Sequence, residues 1–181
     1  MPAKPFIVVS GLPASGKSTL AARLADALGL PLLDKDDILE ALFGGAGEID
    51  AAKRTQLSRM SDDVLARIAR ASQGAVIVSH WRHENSEGAS GTPVAWLKGL
   101  PGTVVEVYCV CPPEIAERRF RLRKRHPAHH DGDRAAGLGE QMRRLAERGP
   151  LLIGRTVTVR TDEPYDFDGL FEQVRIRLEE G

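Results

Sequence analysis

The chain has 181 residues, 42% of them hydrophobic and 28% charged, which suits one domain with an ordinary buried core and excludes a disordered or fibrous chain. Lys and Arg number 25 and Asp and Glu number 25, so the formal charge is zero; the molecule as a whole has no electrostatic pull toward nucleic acid or an anionic membrane, and neither partner is expected. No apolar run reaches the ~18 residues of a membrane span and no charged-then-apolar leader precedes the first apolar segment. The two cysteines, Cys109 and Cys111, lie too close along an extended chain for an ordinary disulfide, and the expectation is a reduced, cytoplasmic protein.

In chain order, Phe6-Ile7-Val8-Val9 predicts a first strand over residues 5–10. Gly11-Leu12-Pro13-Ala14-Ser15-Gly16-Lys17-Ser18 follows, spelling G-x-x-x-x-G-K-S, and a helix is predicted over 17–28 with apolar residues at 20, 24 and 28 and Gly29 as its stop. Strand, glycine-rich loop and helix in that order are the context a phosphate-binding loop requires. The glycines let backbone N–H groups turn toward phosphate oxygens, the helix N-terminus adds a favourable dipole, Lys17 brings a charge to the β- and γ-phosphates, and the Ser18 hydroxyl is a Mg²⁺ ligand. The nucleotide set is therefore Gly11, Ala14, Ser15, Gly16, Lys17, Ser18 and Thr19, with ATP and Mg²⁺ as the expected cofactors. A simple Gly/Ser turn before an amphipathic helix is the alternative.

A short strand at Leu30-Pro31-Leu32-Leu33 runs into Asp34-Lys35-Asp36-Asp37, and 38–43 has helical character up to Gly44-Gly45. An acidic cluster at a strand's C-terminal end points at the rim that holds the phosphate loop. Residues 51–73 form the longest helical pattern, with Leu57, Met60, Val64 and Ile68 on the expected buried stripe. Ala75-Val76-Ile77-Val78 reads as a strand buried on both faces that delivers Ser79, His80 and Arg82 to the same rim. Residues 84–92 read as a loop.

A fourth strand covers 104–110, and Pro112-Pro113 opens a helix. Six of the eight residues from Arg118 to Arg125 are cationic: Arg118, Arg119, Arg121, Arg123, Lys124 and Arg125. Arg118, Arg121 and Arg125 would share one helix face, where like charges repel unless an anion sits among them. Residues 126–137 read as a flexible flap, and His126, His129, His130, Asp131 and Asp133 within it match no metal-ligand spacing well. A helix at 138–148, a strand at 156–159 and a helix at about 166–179, with Phe167, Leu170, Phe171, Val174 and Leu178 on one face, complete the chain. Strands alternating with helices predict one three-layer α/β domain over 1–181, built on a five-stranded parallel sheet with helices on both faces.

The GLPASGKSTL loop, the second strand ending in LLDKDDILEAL, the run Cys111-Pro112-Pro113-Glu114-x-Ala116-x-Arg118-Arg119-x-x-x-Arg123 with HPAHHD after it, and the late Arg160-Thr161-Asp162 turn together resemble a small P-loop kinase. The group concerned includes chloramphenicol phosphotransferase, the kinase domain of polynucleotide kinases and gluconate-kinase-like enzymes. The resemblance implies a P-loop NTPase fold with strand order 2-3-1-4-5, ATP on the loop, an arginine-bearing lid at about 118–137, and an acceptor hydroxyl near the carboxylate after the second strand. In the polynucleotide kinases that carboxylate starts a D-x-x-R pattern, whereas Asp36 here is followed by Leu39. The aliphatic residue favours a neutral small-molecule alcohol over a nucleic-acid 5′ end.

On this reading Asp36 orients the acceptor hydroxyl and accepts its proton, with Asp37 and plain helix capping as competitors. Lys17, Arg119 and Arg123 neutralise the moving phosphoryl group, the two arginines being those that match the family's R-x-x-x-R spacing, and Arg119 also belongs to the nucleotide set. Ser79 stands where many P-loop proteins end a strand in an acidic residue, so an aspartate of the 34–37 cluster, or Ser18 with water alone, must serve the metal. A kinase of small-molecule alcohols is the leading expectation. A nucleotide-binding regulatory module is the alternative, and a polynucleotide 5′-kinase a third.

Overall fold

The computed structural model describes residues 4–45, 49–84, 86, 88, 90–123, 126–129 and 137–180. Its centre is the strand β1 (Lys4–Gly11), in which Phe6, Ile7, Val8 and Val9 are all fully buried. Side chains alternate across a strand, so successive residues supply two separate cores. Ile7 and Val9 join Val76, Val78, Val105, Val107, Val157 and Val159 beneath Leu20, Leu24, Leu170 and Val174. Phe6 and Val8 join Ala75 and Ile77 beneath Leu65, Ala69 and Leu97 on the other face. A sheet with a core on each side is the three-layer arrangement.

Helix α1 (Lys17–Leu28) and α6 (Phe167–Glu179) cover the first face. Helix α3 (Ala51–Ala71) and a 3-10 turn at Ala95–Gly99 cover the second. The five strands β1, β2 (Leu32–Asp34), β3 (Ala75–Val78), β6 (Gly102–Val110) and β7 (Arg155–Arg160) run in the order β2-β3-β1-β6-β7, every pair parallel. Counted within the sheet alone, this is the expected 2-3-1-4-5. All strand C-termini therefore share one edge, and the chain leaves β1 between two strands whose connections wind in opposite directions. A second, two-residue parallel pair joins β4 (Trp81–Arg82) to β5 (Thr92–Pro93).

Several local expectations are corrected. The second strand is Leu32–Asp34, shifted toward the acidic cluster, and helix α2 (Lys35–Gly44) begins at once because Asp34 caps it by accepting from the Asp36 N–H. The buried stripe of α3 is Leu57, Ser61, Leu65 and Ala69, while Met60 and Ile68 are 43% and 45% exposed. The small Ser61, which returns its hydroxyl to the Ser58 carbonyl, is what lets this face approach the sheet. Thr92, read as the end of a loop, is buried in β5. Helices α4 (Pro113–Leu122) and α5 (Leu138–Arg148) pack through Ala116, Phe120, Leu138 and Met142. Because α4 ends at Leu122, the face shared by Arg118, Arg121 and Arg125 does not continue as helix; Lys124 and Arg125 lie outside the described residues.

Candidate active site

The loop between β1 and α1 takes positive φ at Gly11 (134°) and Gly16 (94°), which glycine tolerates, and at Ala14 (59°), a non-glycine residue held in the left-handed region. At Gly11 the constraint is also spatial, since a Cβ there would sit 2.5 Å from the Cys109 carbonyl oxygen. Lys17 Nζ donates to the carbonyls of Leu12 (2.7 Å) and Gly11 (3.1 Å) and is buried within the loop. Burial holds its pKa down at about 8, against the opposing pull of Cys109, Asp36 and Asp34. Ser15 Oγ is buried with no hydrogen-bond partner among the described residues. A buried orphan hydroxyl, a buried ammonium resting on two carbonyls and the start of α1 all suit a polyphosphate anion.

The acidic cluster divides by role. Asp34 is buried, accepts the Asp36 N–H at 2.9 Å on Oδ1 and the Ser18 hydroxyl at 2.9 Å on Oδ2. Burial pushes its pKa upward, opposed by the bonds from Asp36 N–H and Ser18. Ser18 and Asp34 form a paired hydroxyl and carboxylate suited to a divalent cation and its water shell. Plain capping thus falls on Asp34, Asp37 is exposed, and Asp36 is the aspartate of the first helical turn that faces inward, onto the cavity wall. Ser79 Oγ donates to Thr92 Oγ1, whose single hydroxyl hydrogen goes to Asp62 Oδ1 at 2.7 Å. The strand end without a carboxylate thereby reaches one on α3 through Thr92.

A cavity of about 360 Å³ opens at this edge of the sheet. Pro13, Ala14, Gly16, Lys17, Ser18 and Thr19 form one wall, and Asp34, Asp36, Leu39, Arg54 and Ser58 another. Arg119 and Arg123 line it as well, whereas Arg118 and Arg121 do not. Arg118 and Arg121 are exposed, and Arg121 pairs with Glu117 at 2.7 Å. Arg119 Nη1 and Nη2 donate to the carbonyls of Thr161 (2.9 Å) and Asp162 (3.3 Å), which fixes its guanidinium beside the end of β7. Arg123 lies over the Phe120 ring at 4.1 Å. His80 also lines the cavity, while Arg82, half-buried in β4, does not.

The segment expected to be an open flap is in part a docked strap. Residues Pro127–His129 form a 3-10 turn, and Ala128 is fully buried against Leu39 and Leu57. Arg54 Nε and Nη2 donate to the carbonyls of Ala128 (2.9 Å) and His129 (3.3 Å), and the His126 ring meets Phe43 edge-on at 5.6 Å. His129 is only 4% exposed; its Nε2 lies 2.7 Å from Glu40 Oε1 and its Nδ1 3.9 Å from Asp36 Oδ1. The sequence singled out His129 only as part of a metal-like cluster and did not single out Arg54 or Glu40, because a contact spanning 74 to 89 residues leaves no local spacing to read. His130, Asp131 and Asp133 lie outside the described residues, and among those described no three His, Cys, Asp or Glu side chains are grouped to hold a metal. Among them, too, no helix is long and apolar enough to cross a membrane.

The family described as AAA domain (AAA_33) matches residues 6–148. A shikimate kinase of Mycobacterium marinum is 32% identical over 159 residues, covering 87% of this chain and 80% of that protein. Among solved structures, a candidate kinase from Chloroflexus aurantiacus is 27% identical with a TM-score of 0.76, covering 100% of this chain and 99% of its own. A shikimate kinase from Acinetobacter baumannii in complex with shikimate is 19% identical with a TM-score of 0.57, over 99% and 96% of the two chains, a likeness of fold. The loop, the paired aspartates and the arginines of α4 thus sit in a chain that belongs to the AAA_33 family, as one of its small P-loop kinases, ATP-dependent enzymes that phosphorylate an alcohol group of a small molecule.

Proposed function

We propose that the acceptor is a neutral, hydroxyl-bearing small molecule, oriented by Asp36 within one kinase domain spanning 1–181 whose lid covers about 118–137. The observation that carries this reading is that Asp36 lines one cavity together with Lys17, Ser18 and the rest of the phosphate loop. Bound ATP supplies the γ-phosphoryl group and Mg²⁺ disperses its charge. Ser18 would hold the metal, and Asp34, already bonded to Ser18, would accept from water bound to it. Lys17 leaves the carbonyls of Gly11 and Leu12 for the phosphate oxygens, the backbone of Ala14, Ser15, Gly16 and Thr19 cradles them, and Arg119 and Arg123 neutralise the charge that develops in transfer. Asp36 takes the acceptor's proton late, as a loose transition state permits for a carboxylate.

The neutral character of the acceptor follows from how the cations at that end of the cavity are engaged. Arg54 holds the carbonyls of Ala128 and His129, and Lys35 Nζ donates to Ser58 Oγ at 2.9 Å. The hydroxyl and imidazole side chains that line the cavity together with Asp36 are those of Ser58, Ser79, Ser90, Thr92, His80 and His129. Such a lining favours an alcohol or polyol over a carboxylate or a phosphorylated end. Labelled ATP incubated with sugars, sugar alcohols, nucleosides, chloramphenicol, D-gluconate, shikimate and 5′-hydroxyl oligonucleotides tests this. Transfer to a neutral alcohol, lost on the order of a hundredfold or more in Asp36→Asn, is expected. Exclusive transfer to a carboxylated acceptor or to an oligonucleotide, or full activity in Asp36→Asn, overturns it.

A further inference from the structure

His129 faces the acceptor carboxylate from a different part of the chain. It belongs to the strap at residues 126–129, whose own packing is independent of it: Ala128 is buried against Leu39 and Leu57, and Arg54 holds two strap carbonyls. The imidazole then lies between two carboxylates of α2 that are one helical turn apart, Glu40 on Nε2 at 2.7 Å and Asp36 on Nδ1 at 3.9 Å. A hydrogen bond from Nε2 fixes the ring plane and so decides where Nδ1 points. Asp36 is 36% exposed and Glu40 38%, whereas His129 is buried, so the ring is the ordered member of the trio.

We propose that His129 is a positioning residue for the acceptor carboxylate: anchored by Glu40 on one ring nitrogen, it presents the other to Asp36 and sets the direction in which Asp36 meets the acceptor hydroxyl. This rests on the reading of Asp36 as the acceptor-orienting base. Nε2 is bonded to Glu40 Oε1 at 2.7 Å, while Nδ1, 3.9 Å from Asp36 Oδ1, stands beyond direct hydrogen-bond range and close enough to limit where that carboxylate turns. Arg54 on α3 donates to the backbone carbonyl of His129, which shares the cavity lining with the charged groups of Lys17, Lys35, Asp34, Arg119 and Arg123. The role differs from that of a strap anchor, which would need only the Glu40 contact. Because the strap is also held by Arg54 and Ala128, docking and positioning can be separated by experiment.

Two conservative variants divide the ring's functions. The Asn side chain of His129→Asn places an amide nitrogen near the Nδ1 position, facing Asp36; the Gln of His129→Gln places one near Nε2, facing Glu40. Transfer from ATP to the best acceptor of the panel above, or to glycerol as a generic alcohol, is measured beside acceptor-free ATP hydrolysis and nucleotide affinity. Misaiming a reacting group costs on the order of tenfold to a hundredfold, so His129→Ala and His129→Gln should lose about that much kcat for transfer. His129→Asn should retain more, with ATP hydrolysis and nucleotide affinity within about twofold of the parent. Glu40→Gln, at a half-exposed position, should give an intermediate loss. Recovery in His129→Gln but not His129→Asn, or a parallel fall of transfer and hydrolysis, overturns the proposal in favour of simple anchoring. If Asp36→Asn abolishes transfer while every His129 variant matches the parent, only this inference fails; if Asp36→Asn transfers normally, the reading of Asp36 fails with it.

Discussion

Ser18 Oγ donates to Asp34 Oδ2 at 2.9 Å, joining the last residue of the phosphate-loop motif to the residue that caps α2. One carboxylate therefore serves the helix through Oδ1 and the Ser18 hydroxyl through Oδ2. Asp34→Ala removes the cap and should destabilise the fold by about 1–2 kcal/mol in urea denaturation. Asp34→Asn should behave differently. Burial raises the pKa of Asp34 in the folded state, so the unfolded chain ionises first and stability falls as pH rises through that interval. The neutral amide escapes this penalty while keeping an oxygen for the cap. Asp34→Asn is thus expected to be no less stable than the parent at pH 7, yet to require roughly tenfold more Mg²⁺ for half-maximal transfer, a loss comparable to removing an outer-shell partner. Lower stability together with unchanged Mg²⁺ dependence would contradict the assignment.

Glu106, fully buried in β6, organises the back of the loop. It accepts from the N–H groups of Leu151 (2.7 Å) and Leu152 (2.9 Å) and from the hydroxyl of Ser10, the residue before Gly11. Its removal leaves the part-buried N–H groups of Leu151 and Leu152 and the buried Ser10 hydroxyl without this acceptor. Glu106→Ala should cost about 3 kcal/mol or more by chemical denaturation. Nucleotide affinity should fall as well, since Ser10 sets the end of the strand that carries the loop. An unchanged unfolding midpoint would be inconsistent with this role.

The cysteines supply a test of the sheet's packing. Burial pushes the Cys109 thiol up to about 12 and the Cys111 thiol upward from its ordinary value. At pH 8 the Cys109 thiolate fraction is then roughly one in ten thousand, and the thiolate is the form that reacts. Native protein should resist iodoacetamide at pH 8 and take up two equivalents, one per cysteine, only in denaturant. Rapid native alkylation would show that the end of β6 opens readily.

The legible parts of this molecule are those in which chemistry follows chain order. Gly11 to Ser18 could be read because every member of the loop lies within eight residues, and α1 because its apolar period and Gly29 stop agree. Strand order came from the family likeness, as register between strands leaves no trace within one strand. The α3 stripe was misread because Met60 and Ile68 have the right spacing but the wrong side; only the partner surface selects Leu57, Ser61, Leu65 and Ala69. Of the candidate site residues read from the sequence, Asp36, Lys17, Arg119 and Arg123 line the one cavity at the strand ends. The Arg54 clamp, the Glu40 anchor and the route from Ser79 through Thr92 to Asp62 depend on contacts between residues 13 to 89 positions apart. Glu106 carried a signal that went unused, a lone carboxylate among β-branched residues of a buried strand.

Lys17 gives the last prediction, since its charge is linked to what the loop holds. Buried among carbonyls, its ammonium titrates near 8 in place of the ordinary 10.5, chiefly through desolvation. A polyphosphate brought within contact distance stabilises the ammonium and raises that value again. Between pH 8 and 10 the free protein therefore holds less than one proton on Lys17 and the complex close to one. Binding takes up protons in that range, and affinity falls as pH rises, with a slope of log K against pH that approaches −1. Calorimetry with ATP in two buffers of different ionisation enthalpy at pH 8.5 should register an uptake of roughly half a proton or more per site, shrinking toward zero at pH 6.5, where Lys17 is charged in both states. The same uptake measured with Lys17→Arg, whose guanidinium stays charged throughout, should disappear; an uptake that survives the substitution would place the titrating group elsewhere.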